Sequence, residues 1–165
     1  MAQTKLGEHT VNTTGDLPAI GSTAPNFMMV DSAMKNVSLS DFKGKKIVLN
    51  IFPSIETRVC SASVREFNKR AASLDNTVIL CISKDLPMAL KRFCGAEGID
   101  KVITLSDFRN KGFAKTYGME MLEGGMEGLL ARSVVVIDEQ GKVKHSELVP
   151  TIGQEPDYDA AIAAL

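Results

Sequence analysis

Residues 46–67, KIVLNIFPSIETRVCSASVREF, decide the class of the fold. Lys46 to Phe52 is β-branched and apolar on both faces, the pattern of a central strand covered from either side. Pro53-Ser54 ends it, and a helical period runs from about Thr57 to Leu74. Cys60, Val64, Phe67, Ala71 and Leu74 stand 4, 3, 4 and 3 residues apart, which puts them on one apolar stripe. A buried strand feeding an amphipathic helix is the unit of an α/β sheet.

The same alternation continues outward. Thr77 to Ser83 (TVILCIS) reads as a second buried strand. Asp85 is placed to cap a helix with Pro87 in its first turn and its end near Cys94-Gly95. Val102 to Leu105 makes a short strand, and Ser106 or Asp107 caps a further helix through about Tyr117. Ser133–Ile137 and Val143–Val149 flank Asp138-Glu139-Gln140-Gly141, a hairpin turn, and Glu155-Pro156 opens a closing helix through Leu165. Upstream, the first dozen residues suit a small hairpin around Gly7-Glu8, and Gly15 to Pro25 reads as loop. A strand over Asn26 to Val30 is followed by a polar turn ending at Ser40-Asp41-Phe42-Lys43-Gly44. The order β-α-β-α-β-α-β-β-α predicts a three-layer α/β sandwich around a mixed sheet, in one domain spanning residues 1–165.

Composition narrows the function. The 165 residues carry 19 Lys+Arg against 20 Asp+Glu, so no basic face offers itself to nucleic acid and no cationic run to a membrane surface. Apolar runs are strand-sized, well short of the ~18 residues of a spanning helix. The first sixteen residues, MAQTKLGEHTVNTTGD, lack the apolar core of a secretory signal, so a reducing cytoplasm is the expected setting. Three cysteines suit neither a disulfide scaffold nor a zinc site. Cys60, Cys81 and Cys94 lie 21 and 13 residues apart, without the close pairs that zinc ligation uses.

The turn from strand to helix, Pro53-Ser54-Ile55-Glu56-Thr57-Arg58-Val59-Cys60, holds the chemistry. Cys60 falls in the first helical turn, where free N–H groups and the dipole favour a thiolate. Thr57 lies one turn earlier, within reach of the sulfur or a bound oxygen, Arg58 adds a nearby cation, and Pro53 can wall a pocket. Position alone leaves a second reading open: Cys60 shares the apolar stripe and suits core packing, and Thr57 suits a simple N-cap.

PSIETRVC resembles the PxxxTxxC signature of peroxiredoxins, with Pro53, Thr57 and Cys60 in register. The likeness extends through DNTVILCISKDLPMALKRFCGAEG, VITLSDFRNKGFAKTYG, ARSVVVIDEQGKV and TIGQEPDYDAAIAAL. Over essentially the whole chain it is similar to the bacterial thiol peroxidases, which are atypical two-cysteine peroxiredoxins. That resemblance implies a thioredoxin-like fold with an added N-terminal β-hairpin and a thiol-dependent reduction of hydrogen peroxide and alkyl or lipid hydroperoxides. It implies Cys60 as peroxidatic and Cys94 as resolving cysteine, joined in an intramolecular disulfide. It further implies Thr57 orienting the peroxide, Pro53 shielding the pocket and Arg132 as the active-site arginine. Thioredoxin as reductant, a homodimer, and no metal or organic cofactor follow from the same likeness. Position 58 departs from the proline or glycine expected there; Arg58 either adds to thiolate stabilisation or does nothing.

Cys60 and Cys94 fall on different helices, and a disulfide needs Cα atoms within ~7 Å. The reduced form is therefore expected to unwind partly at a helix end, with Gly95 and Gly98 as weak points. Cys81, inside TVILCIS, reads as core, and Met28, Met29 and Met88 as packing. Met119, Met121 and Met126, with Leu122, Leu129 and Leu130, either line an apolar approach to Arg132 or form a loop that covers the core or a subunit contact. Two other functions compete. A dithiol–disulfide oxidoreductase wants Cys-x-x-Cys, but position 63 is serine. A redox-sensing module without turnover would consume one equivalent of peroxide, where an enzyme consumes many.

Overall fold

Alternating exposure folds the N-terminus into an antiparallel hairpin of β1 (Gln3–Leu6) and β2 (His9–Asn12), turning at Gly7 with φ 62°. The computed structural model describes residues 1–165. After a loop come β3 (Met28–Asp31) and β4 (Asn36–Ser38), then a 3-10 turn over Leu39–Phe42. The central units follow: β5 (Lys46–Ile51), α1 (Arg58–Ala71), β6 (Thr77–Ser83), α2 (Pro87–Glu97) and β7 (Ile103–Ser106). A short α3 (Phe113–Thr116), the β8 (Ser133–Ile137) and β9 (Val143–Leu148) pair, and α4 (Tyr158–Ala163) complete the chain.

Seven strands form one mixed sheet in the order β4-β3-β7-β6-β5-β8-β9. β5 pairs parallel with β6 and antiparallel with β8, so its backbone is bonded on both sides. Because strand side chains alternate, Ile47, Leu49 and Ile51 enter one apolar cluster with Phe27, Leu39, Phe113 and Tyr117. Val48 enters the opposite one with Cys60, Val64 and Phe67 of α1, Leu90 of α2 and Ala161 of α4. Helices therefore cover both faces, giving the expected three-layer sandwich of thioredoxin-like type. Each buried Val, Leu, Ile or Phe contributes about 1.5–3 kcal/mol, against about 0–1 kcal/mol for an exposed ion pair such as Arg65–Glu97. The two clusters hold the layers together.

Some local expectations fail for identifiable reasons. Residues 36–38 are a strand, not turn, because Met28, Met29 and Val30 pair with them antiparallel. Asp85 does not cap α2; Leu86 holds that position, and the Asp85 carboxylate is engaged elsewhere. Neither Ser106 nor Asp107 starts a long helix. Asn110 and Gly112, at φ 51° and 101°, break the helical path, so α3 begins only at Phe113. α2 continues through Gly95 and ends at Gly98, whose φ of 65° is the left-handed cap. Met29 is buried as expected, but Met28 and Met88 are exposed. No helix is long and apolar enough to cross a membrane.

The hairpin is not a loose appendage. It packs through Val11 against Met119, Met121, Ala131 and Ile152 in a third cluster. Lys5 N–H donates to the Pro150 carbonyl at 3.0 Å, and Ile152 N–H donates to the Lys5 carbonyl at 2.8 Å. Met119 and Met121 are thereby fully buried, so this part of the loop covers the core instead of lining an approach.

Candidate active site

At the end of β5 the chain passes from Phe52 through buried Pro53 into the 54–57 turn. Thr57 is the N-cap residue of α1 in extended conformation, and its hydroxyl makes no capping bond. Instead Thr57 Oγ1 donates to the Ser54 carbonyl at 3.1 Å, which also accepts the Thr57 N–H at 3.1 Å. Cys60 lies three residues into α1, within the first turn, whose N–H groups have no acceptor inside the helix. It is fully buried on the Val64–Phe67 stripe. Cys60 thus combines a core position with a place in the first turn of a helix, and both readings of it stay compatible with the structure.

Arg132 brings the decisive charge. It directly precedes β8, which pairs with β5 so that Ser133 faces Ile51, and this register carries the guanidinium to the start of α1. Arg132 is 2% exposed. Its Nε donates to the Ile152 carbonyl at 2.9 Å, Nη2 donates to Cys60 Sγ at 3.3 Å, and Nη1 has no partner. A buried guanidinium without a carboxylate is costly unless an anion meets it. The side chain that meets it here is Cys60, through its sulfur. Arg58, in contrast, is exposed and makes no bond to that sulfur.

Cys94 sits two turns into α2, half-buried, and packs against the cluster that contains Cys60. All three thiols are free. Burial raises the Cys94 thiol above its ordinary value. Burial also pushes Cys81 up to about 12; Asn50 Nδ2, 3.7 Å from its sulfur, opposes the shift, and Cys94 adds to it. A groove of ≈ 360 Å³ runs between the first turn of α1 and α2, lined by Ile55, Glu56, Ser61, Ala89, Arg92 and Phe93 among others. It lies beside both cysteines in sequence, since Ser61 follows Cys60 and Phe93 precedes Cys94. Another cleft, of ≈ 320 Å³, is lined by Lys45, Ile47 and residues 137–141, at the opposite end of β5 from Cys60.

The structure thus gathers Pro53, Thr57, Cys60 and Arg132 at one corner and leaves Cys94 on the neighbouring helix. Two contributors escaped the sequence reading. The Ile152 carbonyl that fixes Arg132 is a backbone atom and carries no sequence signal. Asp85 is visible in the sequence but suggests a different partner, because an Asp shortly before a proline-initiated helix has the look of a cap.

This corner is the candidate site, and the frame that carries it defines a thioredoxin-like α/β protein. The Redoxin profile matches residues 19–162, and the chain belongs to the Redoxin family. Its full length is 52% identical to a thiol peroxidase of Corynebacterium glutamicum and equally to one of Mycobacterium tuberculosis, covering 99% of each. Its fold matches the crystal structure of a peroxiredoxin-like protein from Aquifex aeolicus with a TM-score of 0.93 and 34% identity, over 99% of this chain and 95% of that one. Within the family its place is among the thiol peroxidases, and its activity is that of a thiol-dependent peroxidase.

Proposed function

We propose that Cys60 is the peroxidatic cysteine, acting on hydrogen peroxide and organic hydroperoxides, and that Cys94 resolves its oxidised form. The observation that carries this reading is the buried Arg132, whose Nη2 meets Cys60 Sγ at 3.3 Å while Nη1 stays unpartnered. The guanidinium and the first turn of α1 favour negative charge on sulfur, and Nη1 is free for a peroxide oxygen. The sulfur attacks the terminal oxygen of ROOH, the O–O bond breaks, and ROH leaves after taking up a proton. Sulfur is oxidised by two electrons to the sulfenic acid, Cys60–SOH. Thr57 is proposed to orient the peroxide and Pro53 to shield the pocket; the half-buried Thr57 hydroxyl and the buried proline ring support those roles.

Cys94 sulfur then attacks Cys60–SOH; the S–S bond forms, the S–O bond breaks, and water leaves. Burial holds Cys94 as the thiol in the conformation described, and each cysteine belongs to an intact helix. Resolution therefore follows a local opening, for which the Gly98 end of α2 and the first turn of α1 are the natural places. An external dithiol protein of thioredoxin type supplies two electrons and two protons to restore both thiols. Return to the dithiol at every turnover suits a reducing cytoplasm. A homodimer is proposed on the exposed apolar side chains Leu86 and Met88 at the root of α2 and Phe108 beyond β7.

The test is peptide mapping after one equivalent of peroxide, in the wild type and in Cys60→Ser and Cys94→Ser, alongside turnover coupled to thioredoxin and its reductase. A 60–94 cross-link in the wild type only, with many equivalents turned over, is expected. An unreactive Cys60, or a cross-link that persists in Cys60→Ser, sinks the proposal.

A further inference from the structure

Asp85 stands where the two cysteine-bearing segments meet. Its Oδ1 accepts a hydrogen bond from Ser54 Oγ at 2.8 Å, and its Oδ2 accepts from the Ile55 N–H at 2.7 Å and from Ser83 Oγ at 2.6 Å. On the loop side these bonds seize the lead-in to the reactive turn. Ser54 is the residue whose carbonyl receives both Thr57 bonds, and Ile55 packs in the same cluster as Cys60. On the other side Asp85 runs directly into Leu86, the N-cap residue of α2, eight residues before Cys94 in the helix. Its own carbonyl accepts from Ser106 Oγ, which fixes it to the end of β7. One carboxylate therefore joins the turn before Cys60 to the root of the helix that carries Cys94. The other α1–α2 bond of this strength, Arg65 to Glu97 at 2.9 Å, is exposed and touches neither the turn nor a cysteine.

We infer that Asp85 is a positioning residue that latches the 53–57 turn in its peroxide-reducing geometry and thereby sets how Cys60–SOH divides between two fates. The inference rests on the cysteine roles proposed above. In one fate Cys94 displaces water and the disulfide forms. In the other the sulfenic acid meets a second hydroperoxide: sulfur gains another oxygen, the O–O bond breaks, ROH leaves, and Cys60–SO₂H results. Cys60 is fully buried and Cys94 stands on a separate intact helix, so the disulfide waits on the local opening proposed above. The 53–57 turn leads directly into the first turn of α1, one of the two places proposed to open, and the Asp85 bonds oppose its departure. Charge-assisted bonds to a carboxylate are the strong ones, and removing the acceptor also leaves the Ile55 N–H unpaired in the closed form. The latch thus speeds the first step by fixing geometry and slows the second by delaying opening.

The experiment uses Asp85→Ala and Ser54→Ala beside the wild type. Rapid mixing with hydrogen peroxide reads the rate of Cys60 oxidation, and mass spectrometry reads the sulfinate-to-disulfide ratio over a range of peroxide excess. Asp85→Ala is expected to slow Cys60 oxidation by about tenfold. It is also expected to lower the sulfinate share at equal peroxide by at least about threefold. Ser54→Ala, which removes one arm only, is expected to show the same signs at smaller size, and it carries the test if Asp85→Ala does not fold. A merely structural role lowers both rates together, so an unchanged ratio overturns the inference, and so does a larger sulfinate share. A wild type that forms no 60–94 bond overturns the cysteine assignment instead, which keeps the two failures apart.

Discussion

Arg132 is anchored by the carbonyl of Ile152, which accepts from Nε at 2.9 Å, and by no carboxylate. Uncompensated burial of a guanidinium costs stability, and a function is the reason to retain it. Arg132→Met is therefore expected to keep or raise the melting temperature while kcat/KM for peroxide falls by about 10²–10³. Calorimetry and a peroxidase assay on the same sample check this. A variant that loses stability and keeps its rate would show the arginine to be structural.

The Ile152 anchor itself depends on the N-terminal hairpin. Ile152 N–H donates to the Lys5 carbonyl at 2.8 Å, and Lys5 N–H donates to the Pro150 carbonyl at 3.0 Å. Lys5→Pro deletes the second of these donors. Released from the 150–152 segment, Ile152 no longer holds Nε in place, and Cys60 oxidation is expected to slow by about tenfold with the main sheet intact. Hydrogen exchange over residues 3–12 reports the release. Fast exchange there with an unchanged rate would disconnect the hairpin from the chemistry.

The residues differ in how much they declare through sequence. KIVLNIF and TVILCIS declare themselves as covered strands because apolar and β-branched side chains fill most positions on both faces, and α1 because its stripe keeps the helical period. β4 does not: Asn36, Val37 and Ser38 become a strand only by pairing with β3. The helix expected after Ser106 dissolves because left-handed backbone at Asn110 and Gly112 outweighs local capping chemistry. In the candidate site, Pro53, Thr57 and Cys60 are legible since they fall within one eight-residue stretch. Arg132 is visible only through a family likeness, because 72 residues separate it from Cys60 and strand register alone unites them. Ile152 is invisible, since any residue supplies a carbonyl.

Cys81 is expected to be silent. Burial pushes its thiol up to about 12, and the thiolate is the reactive form. Iodoacetamide at mildly alkaline pH is expected to leave Cys81 unmodified until denaturant is added. Cys81→Ala is expected to cost about 1 kcal/mol of stability and to leave the peroxide rate unchanged. Labelling of native Cys81 at the rate of Cys94 would contradict its assignment to the core.

Asp107 gives stability a pH dependence of predictable sign. Its carboxylate is 1% exposed, and neither oxygen has a hydrogen-bond partner. Burial above all raises it from the ordinary 3.8 to about 6; Lys84 opposes the shift and Glu120 adds to it. Below 3.8 the folded and unfolded chains both hold the proton, so Asp107 contributes no difference. Between 3.8 and about 6 the unfolded chain has lost the proton that the folded chain keeps, so stability falls as pH rises. Above about 6 both have lost it, and the penalty levels off at about 2–3 kcal/mol. Asp107→Asn removes this titration at nearly constant volume. Its stability relative to wild type is expected to climb between about pH 4 and pH 6 and to run flat above about pH 7. Urea unfolding of both proteins across that range is the measurement. A flat difference curve, or one that falls with pH, would show that the Asp107 proton is not held by burial.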